Sequence, residues 1–320
     1  MTGHPLHRPL VVVTGKGGTG KTTVAAALGL AAARRGRAIV CEVGRQQRMP
    51  ALFGRAAPEL GEELEVDDQL WTVSIDPQDA LEEWLSRQLP RRLVHVLARS
   101  GAFSAFVHAA PGARELVTIT KAWELAEAQR WRRGARPYDV VVLDAPASGH
   151  GVGLLRTPHT FAEIARVGPI ASQARRVDEA LRDPAHTACV AVTLPGELPV
   201  SETLELEGHL AERLGQAFTG IVVNGVAPRR VSPADAERLA ATDGDLPGAA
   251  VHAARAAAAR TRVQHAQVAR LRRHAHAPVH QVPFVYATEL GLDDVRAIAA
   301  RLERAFSHDS DERPVGQEVG

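Results

Sequence analysis

Apolar residues fall along this chain in short unbroken runs, not in alternation with polar ones. Such runs occupy 9–14 (PLVVVT), 38–43 (AIVCEV), 71–75 (WTVSI), 138–144 (YDVVVLD), 187–194 (TACVAVTL), 218–224 (FTGIVVN) and 278–283, and they are rich in Val, Leu and Ile. A strand that is apolar on both its faces is a strand covered on both sides. Between the runs lie segments with helical spacing: 20–35, 78–98, 113–133, 159–181, 201–214, 233–242, 249–274 and 291–306. Strands alternating with helices predict an α/β fold with a doubly wound, mostly parallel sheet. No repeat or linker divides the chain, so one domain over 1–306 is expected. Residues 78–133 and 156–183 hold more helix than a crossover needs and predict a helical subdomain over one end of the sheet. From 307 the chain (SHDSDERPVGQEVG) has no periodic apolar face and reads as a disordered polar tail.

The first run leads into VVVTGKGGTGKTT, residues 11–23, in which 15–22 satisfy G-x-x-x-x-G-K-[ST] between a strand and a helix. Glycines at 15, 17, 18 and 20 let backbone amides turn inward around phosphate oxygens. The helix that follows presents its positive end to the same anion. Lys21 then supplies a cation to the terminal phosphates and Thr22 a hydroxyl ligand for Mg²⁺, with Thr19 and Thr23 completing the loop. Downstream, Asp144 ends an apolar strand, where a carboxylate beside a phosphate loop can hold Mg²⁺ through its water shell.

This loop carries a second lysine, Lys16. K-G-G-x-G-K-[ST]-[ST] resembles the deviant Walker A loop of the cell-division, partition, nitrogenase iron-protein and arsenite-pump ATPases. In that class the extra lysine reaches across a dimer to the partner's phosphates. The stretch DAPASGH, 144–150, is similar to switch II of the ArsA-type branch, the arsenite-pump and tail-anchored-protein-targeting ATPases. Asp144, Pro146, Gly149 and His150 match that pattern, with Ser148 for a threonine. SIDP (74–77), GIVVN (220–224) and VPF (282–284) resemble further family segments. The resemblance implies that Gly149 offers an amide near the γ-phosphate and that Asn224, Pro283 and Phe284 lie around adenine. It also implies ATP and Mg²⁺ as cofactors. The expected function is an ATPase whose nucleotide-driven dimer closure gates a protein client, membrane proteins included, or a small one.

The departures carry equal weight. The family's switch I aspartate, which orients the attacking water, aligns with Gly44. Glu42 is the nearest carboxylate that could substitute, and Gln46 or Gln47 could also orient water, so hydrolysis is expected to be slow. Two alternatives follow: a weakly hydrolysing subunit of a heterodimer with a paralogue that supplies the aspartate, and a partition-type DNA-associated ATPase. The C-x-x-C zinc site of the eukaryotic targeting factors has no counterpart, and two cysteines cannot supply the three thiols that arsenite needs.

Composition narrows the partners. Lysine and arginine number 38 against 37 acids, so no global charge recruits nucleic acid or anionic lipid. The arginine-rich helix 249–274 reads as a solvated face and HAH, 274–276, as a solvated helix end. No run of membrane-spanning length occurs, and MTGHPLHRPL is too short for a signal peptide. The two cysteines, Cys41 and Cys189, sit in strand-like runs, which fits a reducing cytoplasm. Leu81, Trp84, Leu85, Leu89, Leu93, Val96 and Leu97 form an apolar stripe that reads first as core and second as a client groove.

Overall fold

The computed structural model describes residues 4–45, 47–88, 112–146, 151–164, 167–232, 234–235, 237–238 and 248–311. The strands are β1 (Leu10–Thr14), β2 (Ala38–Val43), β3 (Leu64–Asp67), β4 (Leu70–Ile75), β5 (Val140–Asp144), β6 (Thr187–Thr193), β7 (Gly220–Val226) and β8 (Val279–Pro283). They form one 8-stranded sheet in the order β3-β4-β2-β5-β1-β6-β7-β8. Every pairing is parallel except β3 with β4.

The helices are α1 (Lys21–Ala33), α2 (Arg48–Leu52), α3 (Pro77–Gln88), α4 (Ala113–Ala126), α5 (Gly151–Ile164), α6 (Pro169–Arg182), α7 (Glu197–Leu214), α8 (Gly248–His274) and α9 (Leu292–Asp311). Successive strand residues point to opposite faces, and both faces are covered. Val11, Val13, Val40, Val142 and Val222 pack into a core with Leu28 of α1 and Leu302 and Phe306 of α9. Leu10, Val12, Ile39, Val141 and Leu143 pack into the other, with Ile119 of α4, Leu154 of α5, Val177 of α6 and Leu210 of α7. The unbroken apolar runs are thus the signature of a sheet with two cores. Cys41 and Cys189 are buried free thiols in it.

All the predicted strands are present, and the sequence reading missed one. β3 is a short edge strand whose only buried residue is Val66, so it lacks the apolar run that marks the others. It joins β4 through a tight turn in which Gln69 takes a left-handed φ of 55°. The expected helix 113–133 ends at Ala126, because the chain then folds back to bring Arg130 onto Glu124 and Glu63. The expected helix 159–181 is two helices, α5 and α6, parted at Gly168 (φ 97°) and Pro169. A glycine–proline pair is a breaker on both counts.

The last helix runs to Asp311, past the boundary expected at 306. Val295, Ile298, Leu302 and Phe306 are its buried side. The apolar stripe beyond Gln88 and most of the helix expected at 233–242 lie outside the described residues. No described helix is long and apolar enough to cross a membrane.

Candidate functional site

β1 lies between β5 and β6, and the C-terminal ends of these parallel strands meet where the strand order reverses direction. That crevice is where open α/β sheets hold ligands. The loop after β1 is shaped by two contacts that admit no side chain. Gly15 has φ +145°, and a Cβ there would sit 2.2 Å from the Val192 carbonyl oxygen of β6. Gly20 has φ +88°, and its Cβ would sit 2.1 Å from Asn224 Nδ2 on β7. The loop is therefore pressed against its neighbouring strands by glycines. Gly17 and Gly18 are on its exposed outer side.

Its polar groups are held from within. Thr19 is 3% exposed; its Oγ1 donates to the Lys16 carbonyl at 3.0 Å. Asn224 Nδ2 donates to the Thr19 carbonyl at 3.0 Å, so Asn224 braces the loop. Lys21 Nζ donates to the same Lys16 carbonyl at 2.9 Å. Burial holds the Lys21 ammonium pKa below its ordinary value, with the Asp144 carboxylate pulling the other way. Lys16, half exposed, pairs with Glu202 of α7 at 3.1 Å, a partner that sequence reading did not single out. Position on the helix after β6, beside the loop strand, is the signal that would have pointed to it.

Thr22 and Asp144 meet across the crevice. Thr22 Oγ1 donates to Asp144 Oδ2 at 2.6 Å, while Asp144 Oδ1 is buried and has no hydrogen-bond partner among the described residues. Burial raises the Asp144 pKa, and the Thr22 hydroxyl and the Lys21 and Arg48 charges offset part of the rise. A buried carboxylate oxygen without a donor is costly. Beside a hydroxyl in a phosphate-loop setting, it fits a hard cation that keeps part of its water shell. The donor set suits Mg²⁺.

Glu42 has a different post. It is 2% exposed, and its two carboxylate oxygens accept the Arg48 and Met49 amides at 2.9 and 3.0 Å. It thereby binds the N-terminal amides of α2, and its carboxylate faces that helix end. Burial raises its pKa and these two amides partly offset the rise. Gly44, two residues on, has φ +79° and open space where a side chain would stand. Its carbonyl accepts the Ser74 hydroxyl at 2.6 Å. Gln47 Nε2 donates to the Pro58 carbonyl at 2.7 Å. Gln46, Gly149 and His150 lie outside the described residues. Asp76 of SIDP caps α3, accepting the Gln78 amide at 2.8 Å.

On the far side of the loop, Thr23, Asn224, Pro283 and Phe284 line one open cleft of about 1350 Å³. Leu194, Pro195 and Gly196, the turn after β6, line it too. The sequence reading missed that turn, although its place at a strand end next to β1 marks it. At the C-terminal end of α8, HAH has an acidic neighbour: buried Glu207 of α7 accepts the His276 and Ala277 amides. His276's own side chain remains 89% exposed.

A family model described as anion-transporting ATPase matches residues 8–172. The chain is 33% identical over 239 residues to ATPase BagA of Mycobacterium tuberculosis, a match covering 72% of this chain and 69% of that protein. It is 25% identical over 252 residues to an arsenical pump-driving ATPase of Acidiphilium multivorum and 24% identical over 247 to one of Escherichia coli. Those matches cover 71% and 70% of this chain but only 41% and 40% of the pump ATPases.

Proposed function

Because the chain belongs to the anion-transporting (ArsA-type) ATPase family, we propose that it binds Mg-ATP in the crevice above β1 and hydrolyses it slowly, using dimer closure to gate a client. The observation that carries this is the Thr22–Asp144 pair with its one unpartnered, buried carboxylate oxygen. In this reading the amides of residues 17 to 22 and the N-terminus of α1 hold the phosphates. Lys21 leaves the Lys16 carbonyl to neutralise the terminal phosphates. Thr22 and Asp144 hold Mg²⁺, which neutralises charge on the phosphates when bound. Asn224, Pro283, Phe284 and Thr23 provide the base-side wall, Asn224 doing so from its bracing position.

Lys16 would act on the partner's nucleotide. Its pair with Glu202 is half exposed, and such pairs contribute no more than about 1 kcal/mol, so the side chain is free to exchange partners on closure. Glu42 holds α2 and the segment after β2 in place, which supports a positioning role and leaves the attacking water to another group. The test is light scattering on the full chain with ADP and with a slow ATP analogue. Wild type should shift from monomer to dimer with the analogue, and Lys16→Ala should abolish the shift. A monomer in both states would sink the homodimer.

Gly44 favours a second reading, the heterodimer with a paralogue. The position is open, and its left-handed backbone is one that Asp adopts at modest cost. Gly44→Asp should raise turnover at least about tenfold if only water positioning is lacking. An unchanged rate would leave the missing group to a partner.

A further inference from the structure

Besides Asn224, the open cleft beside the phosphate loop is lined by a second carboxamide, Gln264 of α8. It is half-buried, and its orientation is fixed. The Ala227 amide, one residue past β7, donates to Gln264 Oε1 at 2.8 Å, so the other end of the group is the NH₂. His265 Nε2 lies 3.3 Å from the Ala227 carbonyl oxygen, and the two side chains together hook α8 to the end of β7. Asn224 is fixed the other way round: its Nδ2 donates to the Thr19 carbonyl, which leaves Oδ1 as the end without a partner. Neither Gln264 Nε2 nor Asn224 Oδ1 belongs to the buried unpaired atoms of the described residues, so both stay open to a ligand. The cleft thus offers one donor and one acceptor, each pinned from behind by the backbone. No ionisable side chain is among its described lining residues.

We propose that Gln264 is a specificity-determining residue of the nucleotide site, selecting adenine over guanine. Gln264 Nε2–H donates to the ring nitrogen N1, and Asn224 Oδ1 accepts from the adjacent 6-amino group. This selection rests on nucleotide binding in the crevice above β1, as proposed above. Guanine in the same pose would set its O6 against Asn224 Oδ1 and its N1–H against the Gln264 NH₂, acceptor to acceptor and donor to donor. A carboxylate that could take the N1–H and the 2-amino group is absent from the described lining. Polar groups left facing their own kind make the wrong base costly, beyond the hydrogen bonds lost.

Calorimetric titration of the full chain with Mg²⁺ and the β,γ-imido analogues of ATP and GTP, and with inorganic tripolyphosphate, tests it. Wild type should bind the adenine analogue at least about tenfold more tightly than the guanine one. Gln264→Glu keeps an oxygen for the Ala227 amide and puts an acceptor where the donors stood. It should weaken the adenine analogue about tenfold relative to the guanine one, so that the preference vanishes or reverses. Gln264→Met loses the hook and the donors together, and should lower the preference with no gain for guanine. Tripolyphosphate has no base, and dividing by its affinity removes whatever the added charge of Gln264→Glu does to phosphate binding. Suppose wild type binds tripolyphosphate but takes the two bases equally; the base readout is then overturned and the phosphate site stands. A preference untouched by Gln264→Glu would overturn it too, leaving Gln264 as a hook for α8 alone. A chain that binds none of the three probes would remove the nucleotide reading itself, and this selection with it.

Discussion

Two parts of this molecule bury charge, and they treat it in opposite ways. Beneath the helical layer, Lys121 of α4 meets Glu83 of α3 and Glu124, and Arg130 meets Glu124 and Glu63. The Tyr138 hydroxyl donates to Glu63 at 2.7 Å, and the Trp131 amide donates to Glu124. Glu124 is 0% and Arg130 7% exposed, yet Glu124 is fully engaged. In the crevice, Asp144 keeps one oxygen unpaired among the described residues and Lys21 rests on a carbonyl. A network that satisfies itself is structural, joining helices to the sheet edge. A cluster in which a buried carboxylate oxygen meets no donor among the described residues, and an ammonium rests on a carbonyl, is suited to something that arrives from outside.

The strongest test of this contrast is stability. Glu124→Ala removes one of the two carboxylates that each of Arg130 and Lys121 holds, and breaking a buried ion pair from one side costs about 3–5 kcal/mol. Urea unfolding should register that loss in the midpoint, with ATP affinity of the folded fraction unaltered. If Glu124→Ala cost less than about 1 kcal/mol, the region would be wetter than its burial indicates, and the contrast would fail.

The same contrast explains what could be read in advance. The crevice was legible because its chemistry is local: G-K-G-G-T-G-K-T places loop, cation and hydroxyl within eight residues, and Asp144 closes a strand that announces itself. Both-face burial made the strands equally plain. The ionic network was not legible, because Glu63 and Glu83 are far in sequence from Lys121, Glu124 and Arg130, and each looks like a solvated charge. The same holds for Glu42, whose role as an anchor for α2 depends on where Arg48 and Met49 come to lie after β2, which composition does not specify. β3 escaped because an edge strand has only one row of side chains to bury. The break between α5 and α6 is different: Gly168-Pro169 marks it locally, while apolar residues at helical spacing run on both sides of it.

The second test moves to the crevice. Lys21→Ala should lower ATP turnover by at least about 100-fold, the scale at which removing one preorganised charge on a reacting group acts. Its stability should stay within about 0.5 kcal/mol of wild type, because the ammonium is replaced at a partly exposed site where its hydrogen bond is to a loop carbonyl and not to a carboxylate. Turnover and urea midpoint are measured on the same preparation. A stability loss as large as that of Glu124→Ala would place Lys21 in the structural class and remove the distinction.

The smallest expected effect is the one with a sign that can be worked out beforehand. Burial alone would raise the Glu63 pKa, but hydrogen bonds from Arg130 and Tyr138, with the charges of Arg130 and Lys121, outweigh it and hold the carboxyl below its ordinary value. A carboxyl depressed in the folded state adds stability above its unfolded pKa, near 4.3. That contribution is lost as pH falls through the folded value. Wild type should therefore exceed Glu63→Gln by about 1–2 kcal/mol between pH 5 and 8. The gap should narrow in acid, below about pH 4. Urea midpoints for both proteins across pH 3 to 8 measure it. A gap that instead widens toward acid would mean that Glu63 is carried protonated in the fold, and that Arg130 draws its compensation from Glu124 alone.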